Sequence, residues 1–403
     1  MRLLCLSNGH GEDTIALRIL QALRDRPDCP TLEALPIVGE GHAYRKAGIP
    51  LVGSVKVMPS GGFIYQDSRQ LARDLQGGLL QLTWDQIKTV RAWSQAKEAS
   101  LVLAVGDIVP MLFGWISRSP FAFVGTAKSE YYLRDENGEL PRPWWVDVWP
   151  RATGSLYEPW ERWLMQRPNC RAVFPRDKIT TQNLQRLGIP ALDLGNPMMD
   201  GLVGEPLPFE RATLSIALMP GSRPPECYAN WELILQALDG IVGVQSESIE
   251  LLSALVPSLD PSPLHQALVS HAWQPLDPMT YGKGAATLRL LPGQFEACIQ
   301  RADLAISLAG TATEQFVGLG KPAIIIPGEG PQFTPAFAEG QTRLLGESVI
   351  LIEQPSAVAA ELRSLLHDPQ RLQQIAENGK RRMGDPGAAD RIADHLIQIL
   401  RHS

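Results

Sequence analysis

Three short stretches hold residues whose types and spacing could do chemistry. LSNGHGEDT, residues 6–14, leaves an apolar run and enters a helical pattern, bringing His10, Glu12 and Asp13 into one turn. LMPGSRPPE, 218–226, puts Gly221, Ser222 and Arg223 directly behind another apolar run. A glycine there lets backbone approach a ligand, serine donates a hydrogen bond, and arginine offers a planar fork suited to phosphate. About 90 residues later, ISLAGTATEQ places Gly310, Thr311, Ala312 and Thr313 where a strand should become a helix. The free N–H groups of a helix start can face a diphosphate, and Glu314 in the first turn could take both hydroxyls of a ribose. Farther on, GEGPQFT reads as a flexible loop from which Gln332 could reach a sugar.

The first stretch is not a phosphate loop. A dinucleotide fingerprint needs G-x-G-x-x-G, and here Gly9 and Gly11 fit but Thr14 stands at the third position. Glu12 and Asp13 would also repel a pyrophosphate at a helix start. The acidic pair reads as an acceptor of hydrogen bonds from sugar hydroxyls, or as a complement to the positive helix end.

The elements that must position these stretches alternate strand and helix. In the first half, strands are expected at 2–6, 33–38, 101–105, 120–124, 171–174 and 191–194, with TIALRILQALRDR forming an amphipathic helix after the first. A second series begins near 213 with TLSIALMPG, IELLSALV, LRLLPG, ADLAISLAG and KPAIIIPG, several ending at Gly or Pro as strands do when they enter loops at a sheet's carboxyl edge. This alternation implies mostly parallel sheets wrapped by helices. PMMDGLVGEPLPFERA, 197–212, reads as a linker, and an amphipathic helix is expected over roughly 386–401.

Bulk properties agree with a globular chain of two domains. A chain of 403 residues exceeds one ordinary core. With 44 % hydrophobic and 20 % charged residues it reads as soluble and globular, and a net charge of −6 argues against a nucleic-acid partner. Five scattered cysteines without a C-x-x-C pair suit reduced thiols in a cytoplasm and not a zinc site. Neither a signal peptide nor a membrane-spanning run is expected.

Together the motifs resemble the GT-B family of nucleotide-sugar glycosyltransferases, and within it lipid-A-disaccharide synthases; the polyprenyl-acceptor GlcNAc transferase of peptidoglycan synthesis is a more distant likeness. LMPGSRPPE is similar to the synthases' L-P-G-S-R-x-x-E, and AGTATEQ to their S-G-T-A-T-x-E. FPRDKITTQNLQRLGIPALDLGNPMMD resembles the segment closing their first domain. The resemblance implies an α/β GT-B fold: an acceptor-binding Rossmann-like domain at 1–200 and a nucleotide-sugar-binding one at 213–385, facing a cleft. It also implies a helix at 386–403 packed back on the first domain. Arg223 and Glu226 would lie near the donor, and Thr311, Thr313 and Glu314 would hold phosphate and ribose. The acceptor half departs from the family: VGDIVPMLF replaces G-I-D-A-P-D-F, keeping Asp107 as the first aspartate without the second, and NGHGED replaces G-E-x-S-G-D. The chain therefore reads as a divergent relative of the synthases.

Transfer of a sugar to a hydroxyl needs a base, and Asp107, His10 and Glu12 are the candidates, with Asp107 and His10 both able to serve. Arg223 and the N–H groups around Gly310–Thr313 would neutralise the leaving diphosphate. No Asp-x-Asp motif occurs, which points to catalysis without a divalent metal or any other cofactor; direct displacement of UDP from a UDP-sugar donor would invert the anomeric carbon, as the resemblance also implies. Trp144, Trp145, Trp149, Trp160 and Trp163, interleaved with arginines, and Met58, Phe63 and Ile64 could rim a site for a lipid-linked or amphiphilic acceptor, in peripheral contact with the inner face of a membrane. Ordinary packing of a long insertion remains the alternative there. Two rivals for the whole chain stay open: a UDP-sugar 2-epimerase on the same fold, and a non-catalytic UDP-sugar-binding protein.

Overall fold

The computed structural model describes residues 1–55, 79–95, 98–143, 145–242 and 248–402, and leaves the side chains of His10, Leu79 and Leu80 outside that set. His10 as a base, the loop bearing Met58, Phe63 and Ile64, and Trp144 therefore lie outside what is described. The chain divides into two units, Met1–Asp200 with Pro386–Ser403, and Gly201–Asp385.

In unit 1 the apolar runs become five parallel strands: β1 (Arg2–Ser7), β2 (Thr31–Pro36), β3 (Ser100–Gly106), β4 (Phe121–Gly125) and β5 (Cys170–Phe174), in the order β2-β1-β3-β4-β5. Their near-continuous burial is that of a sheet covered on both faces. The helices relevant here are α1 (His10–Arg24), α2 (His42–Lys46), α3 (Leu79–Ser94), α4 (Ile108–Ser117), α5 (Val148–Thr153), α6 (Pro159–Met165) and α7 (Lys178–Arg186). Five of the six expected strands form. The sixth, 191–194, does not: Ala191 makes a single parallel bridge to Val173, and Pro190 beside it has no N–H with which to extend a ladder.

Among its described residues, unit 2 holds eight strands: β6 (Leu214–Met219), β7 (Ile249–Leu255), β8 (Gln274–Asp277), β9 (Thr280–Lys283), β10 (Ala286–Pro292), β11 (Leu304–Ser307), β12 (Ala323–Ile325) and β13 (Val349–Leu351). The order is β8-β9-β10-β7-β6-β11-β12-β13, parallel except for β8 and β9, which add an antiparallel edge. Its relevant helices are α8 (Glu226–Val242), α9 (Phe295–Arg301), α10 (Thr311–Gly318) and α11 (Pro335–Leu345).

The segment read as a linker is tied to unit 2 over its second part. Arg301 on α9 grips Glu250 of β7 with two bonds, 2.6 and 3.0 Å, and donates to Phe209 O at 2.8 Å; Gln300 donates to Leu202 O at 2.8 Å. A Cβ on Gly204 would fall 2.2 Å from Ala297 N, so only glycine lets this segment lie against α9.

The chain's last helix, Ala388–Arg401, returns to unit 1. Ala388, Ala389, Ile392, Ala393, Leu396, Ile397 and Leu400 form its buried stripe, and it packs on α1. Asp200, far from it in sequence, sits at its start in space: its carboxylate accepts from the N–H groups of Gly387 (2.5 Å), Ala388 (3.2 Å) and Ala389 (2.6 Å). A carboxylate on otherwise unpaired N–H groups stabilises a helix start by about 1–2 kcal/mol. Asp200→Ala is therefore expected to speed amide exchange in this helix by roughly 5- to 30-fold; unchanged exchange would mean the cap contributes nothing.

Candidate functional site

In unit 1 the order of strands reverses between β1 and β3, so the segments leaving these two neighbours diverge to opposite faces and open a crevice at their carboxyl ends. Glu12 follows β1 and Asp107 follows β3, and the reversal brings them together. Gly106 lets them pack: a Cβ there would lie 3.2 Å from Glu12 Cγ and 3.4 Å from Asn8 Cβ, at a φ of +130°. Asp107 caps α4, its Oδ1 accepting from Val109 N at 2.8 Å. Capping explains the residue's type but engages only one oxygen.

Burial pushes both carboxyls above the usual carboxylate range. Asp107's own charge raises Glu12 further, and Thr126 beside it opposes the rise. For Asp107 the rise is opposed by the Val109 N–H, then by the Lys128 ammonium and by Asn8. Two neighbouring carboxyls in a partly dry crevice share protons more readily than either alone. A carboxylate of raised pKa is a better base near neutral pH.

Asp13 does not join them. It is buried, and its Oδ1 accepts from Ser7 Oγ at 2.5 Å, with Tyr44 Oη 2.6 Å from the same hydroxyl. The acidic pair seen in the sequence thus splits, one carboxylate to the crevice and one to the core. The loop after β4, GTAKSE, carries groups that the sequence reading passed over. Lys128 Nζ lies 2.5 Å from buried Glu161, and buried Arg176 donates to Thr126 O at 3.1 Å. A Gly-Thr-Ala-Lys run directly behind a buried strand was the available signal.

Unit 2 repeats the device. Its strand order reverses between β6 and β11, and the two motifs read from the sequence leave those two strands. Asn230 on α8 bridges their ends, donating to Pro220 O at 2.9 Å and Leu308 O at 3.5 Å. Gly221, at φ +94°, turns the chain out of β6, and Ser222 and Arg223 are exposed beyond it. Gly310 caps α10, and a Cβ on it would meet Phe337 at 3.1 Å. Thr311 is exposed and Ala312 half-buried; the N–H groups of Thr311, Ala312 and Thr313 precede the first intrahelical bond, Glu314 N to Gly310 O. Glu314 is buried in that first turn. Next to Gly310, the buried amide of Gln341 has no hydrogen-bond partner among the described residues.

Two residues expected at a ligand face elsewhere. Thr313 is fully buried; its hydroxyl meets Ser307 Oγ at 2.7 Å and donates to Ala309 O, so only its backbone N–H points outward. Glu226 spends its carboxylate on the loop after β12, accepting from Phe333 N at 2.7 Å and Gln332 N at 3.0 and 3.1 Å. Gln332 itself has an exposed side chain.

No family model matches the chain, and no curated protein matches it. Solved structures share its fold end to end. A putative UDP-N-acetylglucosamine 2-epimerase from Listeria monocytogenes aligns at TM-score 0.60 and 16 % identity, over 100 % of this chain and 97 % of its own. The UDP-GlcNAc 2-epimerase of Neisseria meningitidis bound to UDP-GlcNAc aligns at 0.54 and 14 %, over 99 % and 100 %. MurG of Acinetobacter baumannii aligns at 0.57 and 13 %, over 98 % and 99 %. The chain has the GT-B fold, an α/β architecture of two Rossmann-like, mostly parallel sheets.

The raised pKa of Glu12, pushed up by burial, fixes the sign of a pH effect. Stability from a carboxyl whose folded pKa is raised is fully present below its unfolded value of about 4.3 and is lost as pH climbs through the folded value. Glu12→Gln, which carries no charge, should therefore melt higher than the parent at pH 7–8, with the gap closing toward pH 4. Melting curves across pH check this; a gap that is absent or widest in acid would contradict it.

Proposed function

We propose that the protein is an inverting, metal-independent glycosyltransferase, related to the lipid-A-disaccharide synthases, that moves a sugar from a UDP-sugar to a lipid-linked or amphiphilic acceptor. The observation that carries this reading is the Glu12–Asp107 pair at the β1/β3 reversal: a carboxylate poised as a base, with a second that keeps its affinity for a proton high. In unit 2 the N–H groups opening α10, with Arg223 beyond Gly221, suit the diphosphate, and Glu314 suits the ribose. In the step, the acceptor hydroxyl attacks the anomeric carbon from the face opposite the nucleotide. The carbon–oxygen bond to UDP breaks, UDP leaves with that electron pair, and the hydroxyl proton passes to Asp107 or Glu12. Attack from the opposite face inverts the configuration.

An amphiphilic acceptor is supported by a set of exposed aromatic side chains in unit 1. Trp84, Trp115, Trp145, Trp149, Trp160 and Trp163 are each at least a third exposed, and Leu112 and Val148 accompany them. Helix α3 packs on α4 and α4 on α6, and the rings of Trp115 and Trp163 meet edge to face at 5.4 Å. Arg167 lies 4.1 Å over Trp163 and Lys88 5.5 Å over Trp84. Indole rings beside cations suit the boundary between headgroups and acyl chains. Among the described residues no helix is long and apolar enough to cross a membrane, so contact would be peripheral.

A second reading, UDP-sugar 2-epimerase, is favoured by the Listeria and Neisseria structures. One assay separates the two: incubate the protein with UDP-GlcNAc or UDP-glucose, with and without a lipid extract in vesicles, and follow UDP release and the anomeric configuration of any product. Transfer is expected to release UDP only with acceptor and to invert the sugar. Asp107→Asn should lower the rate by about 100-fold or more while UDP-sugar still binds. Conversion of UDP-GlcNAc at C2 without acceptor would instead establish the epimerase.

A further inference from the structure

Glu226 occupies an unusual place for a charged side chain. It opens α8, three residues past Arg223, and is 7 % exposed. Its carboxylate is consumed by the backbone of a loop more than 100 residues away in sequence, through the N–H groups of Gln332 and Phe333. Gly330 in that loop lies flat against the carboxylate: a Cβ there would stand 2.3 Å from Glu226 Cγ and 2.6 Å from its Oε1. The loop closes on itself where Gly328 N donates to Phe333 O at 2.9 Å. Beyond it, Thr334 caps α11 through Phe337 N at 3.1 Å, the ring of buried Phe333 meets that of Phe337 at a tilt of 60° with centroids 5.4 Å apart, and Phe337 lies against Gly310.

One carboxylate thus fixes the loop leaving β12 relative to the turn leaving β6, and the same loop reaches the start of α10 through two phenylalanines. With its backbone anchored and its side chain exposed, Gln332 is the loop's outward-facing polar group at the anchored position. We propose that Glu226 is a positioning residue: it holds the 328–333 loop so that Gln332 presents its amide to the sugar of the bound nucleotide-sugar, and so sets discrimination between UDP-sugar and UDP. This rests on the assignment of the nucleotide to unit 2 made above. Charge-assisted hydrogen bonds to two adjacent N–H groups are roughly twice as strong as neutral ones, and a loop fixed in its bound conformation avoids the ordering cost at the moment of binding.

Two readouts on the full chain test it. The first needs no ligand: amide exchange at Gln332 and Phe333 should accelerate at least tenfold in Glu226→Ala and less in Glu226→Gln, whose remaining carbonyl oxygen can still accept. The second is calorimetric titration with UDP and with UDP-GlcNAc. Glu226→Ala should weaken UDP-GlcNAc about tenfold or more and UDP less than threefold, with Glu226→Gln recovering part of the loss. Equal weakening of both ligands would overturn the proposal, since it would place Glu226 at the diphosphate or show general damage. Unchanged exchange at Gln332 and Phe333 would overturn the anchor. A parent protein that binds neither ligand would remove the nucleotide assignment, and the sugar-reading role with it, while the exchange measurement would still report on the anchor.

Discussion

Everything chemical in this protein depends on one constraint of parallel sheets. Where strand order reverses, the connections leaving two neighbouring strands go to opposite faces, and the carboxyl ends of those strands cannot be covered by the chain that follows. The fold does this twice, at β1/β3 and at β6/β11. Each opening gathers residues far apart in sequence: Glu12 with Asp107 in one unit, Gly221–Arg223 with Gly310–Glu314 in the other. Glycines at Gly106 and Gly221 adopt the positive φ that lets backbone turn sharply at these ends.

The two openings differ in electrostatic character, and this difference is the basis for assigning them different ligands. The β1/β3 opening is acidic and held at a cost, with two partly buried carboxyls resisting ionisation and Lys128 offsetting part of it. The β6/β11 opening presents backbone N–H groups at a helix start and an exposed arginine, a setting that favours anions. A positively polarised crevice suits a leaving diphosphate, and an acidic one suits a hydroxyl that must lose a proton.

The sequence made the sheets and the motif positions legible because both follow local rules. Apolar runs bounded by glycine and proline marked the parallel strands, and the motifs behind them fell at the switch points. The antiparallel edge of β8 and β9 escaped notice because all four residues of β8 are exposed and Pro275 lies within it, leaving no hydrophobic signature. The direction of individual side chains was illegible for another reason. Thr313 and Thr311 belong to one motif, yet one turns into Ser307 and the other to solvent, since successive residues of a helical turn point about 100° apart. Glu226 likewise matched a motif by type, while its partners lie in a loop that only the folded sheet brings near. The pairing of Glu12 with Asp107 across 95 positions was equally beyond local pattern.

If unit 2 receives a uridine diphosphate at the start of α10, a crystal structure of the protein with UDP will show it there. The diphosphate oxygens are expected within hydrogen-bonding distance of the N–H groups of Thr311, Ala312 and Thr313, with the ribose beside Glu314. UDP seated instead at the β1/β3 end of unit 1, or no UDP bound at saturating concentration, would contradict the account.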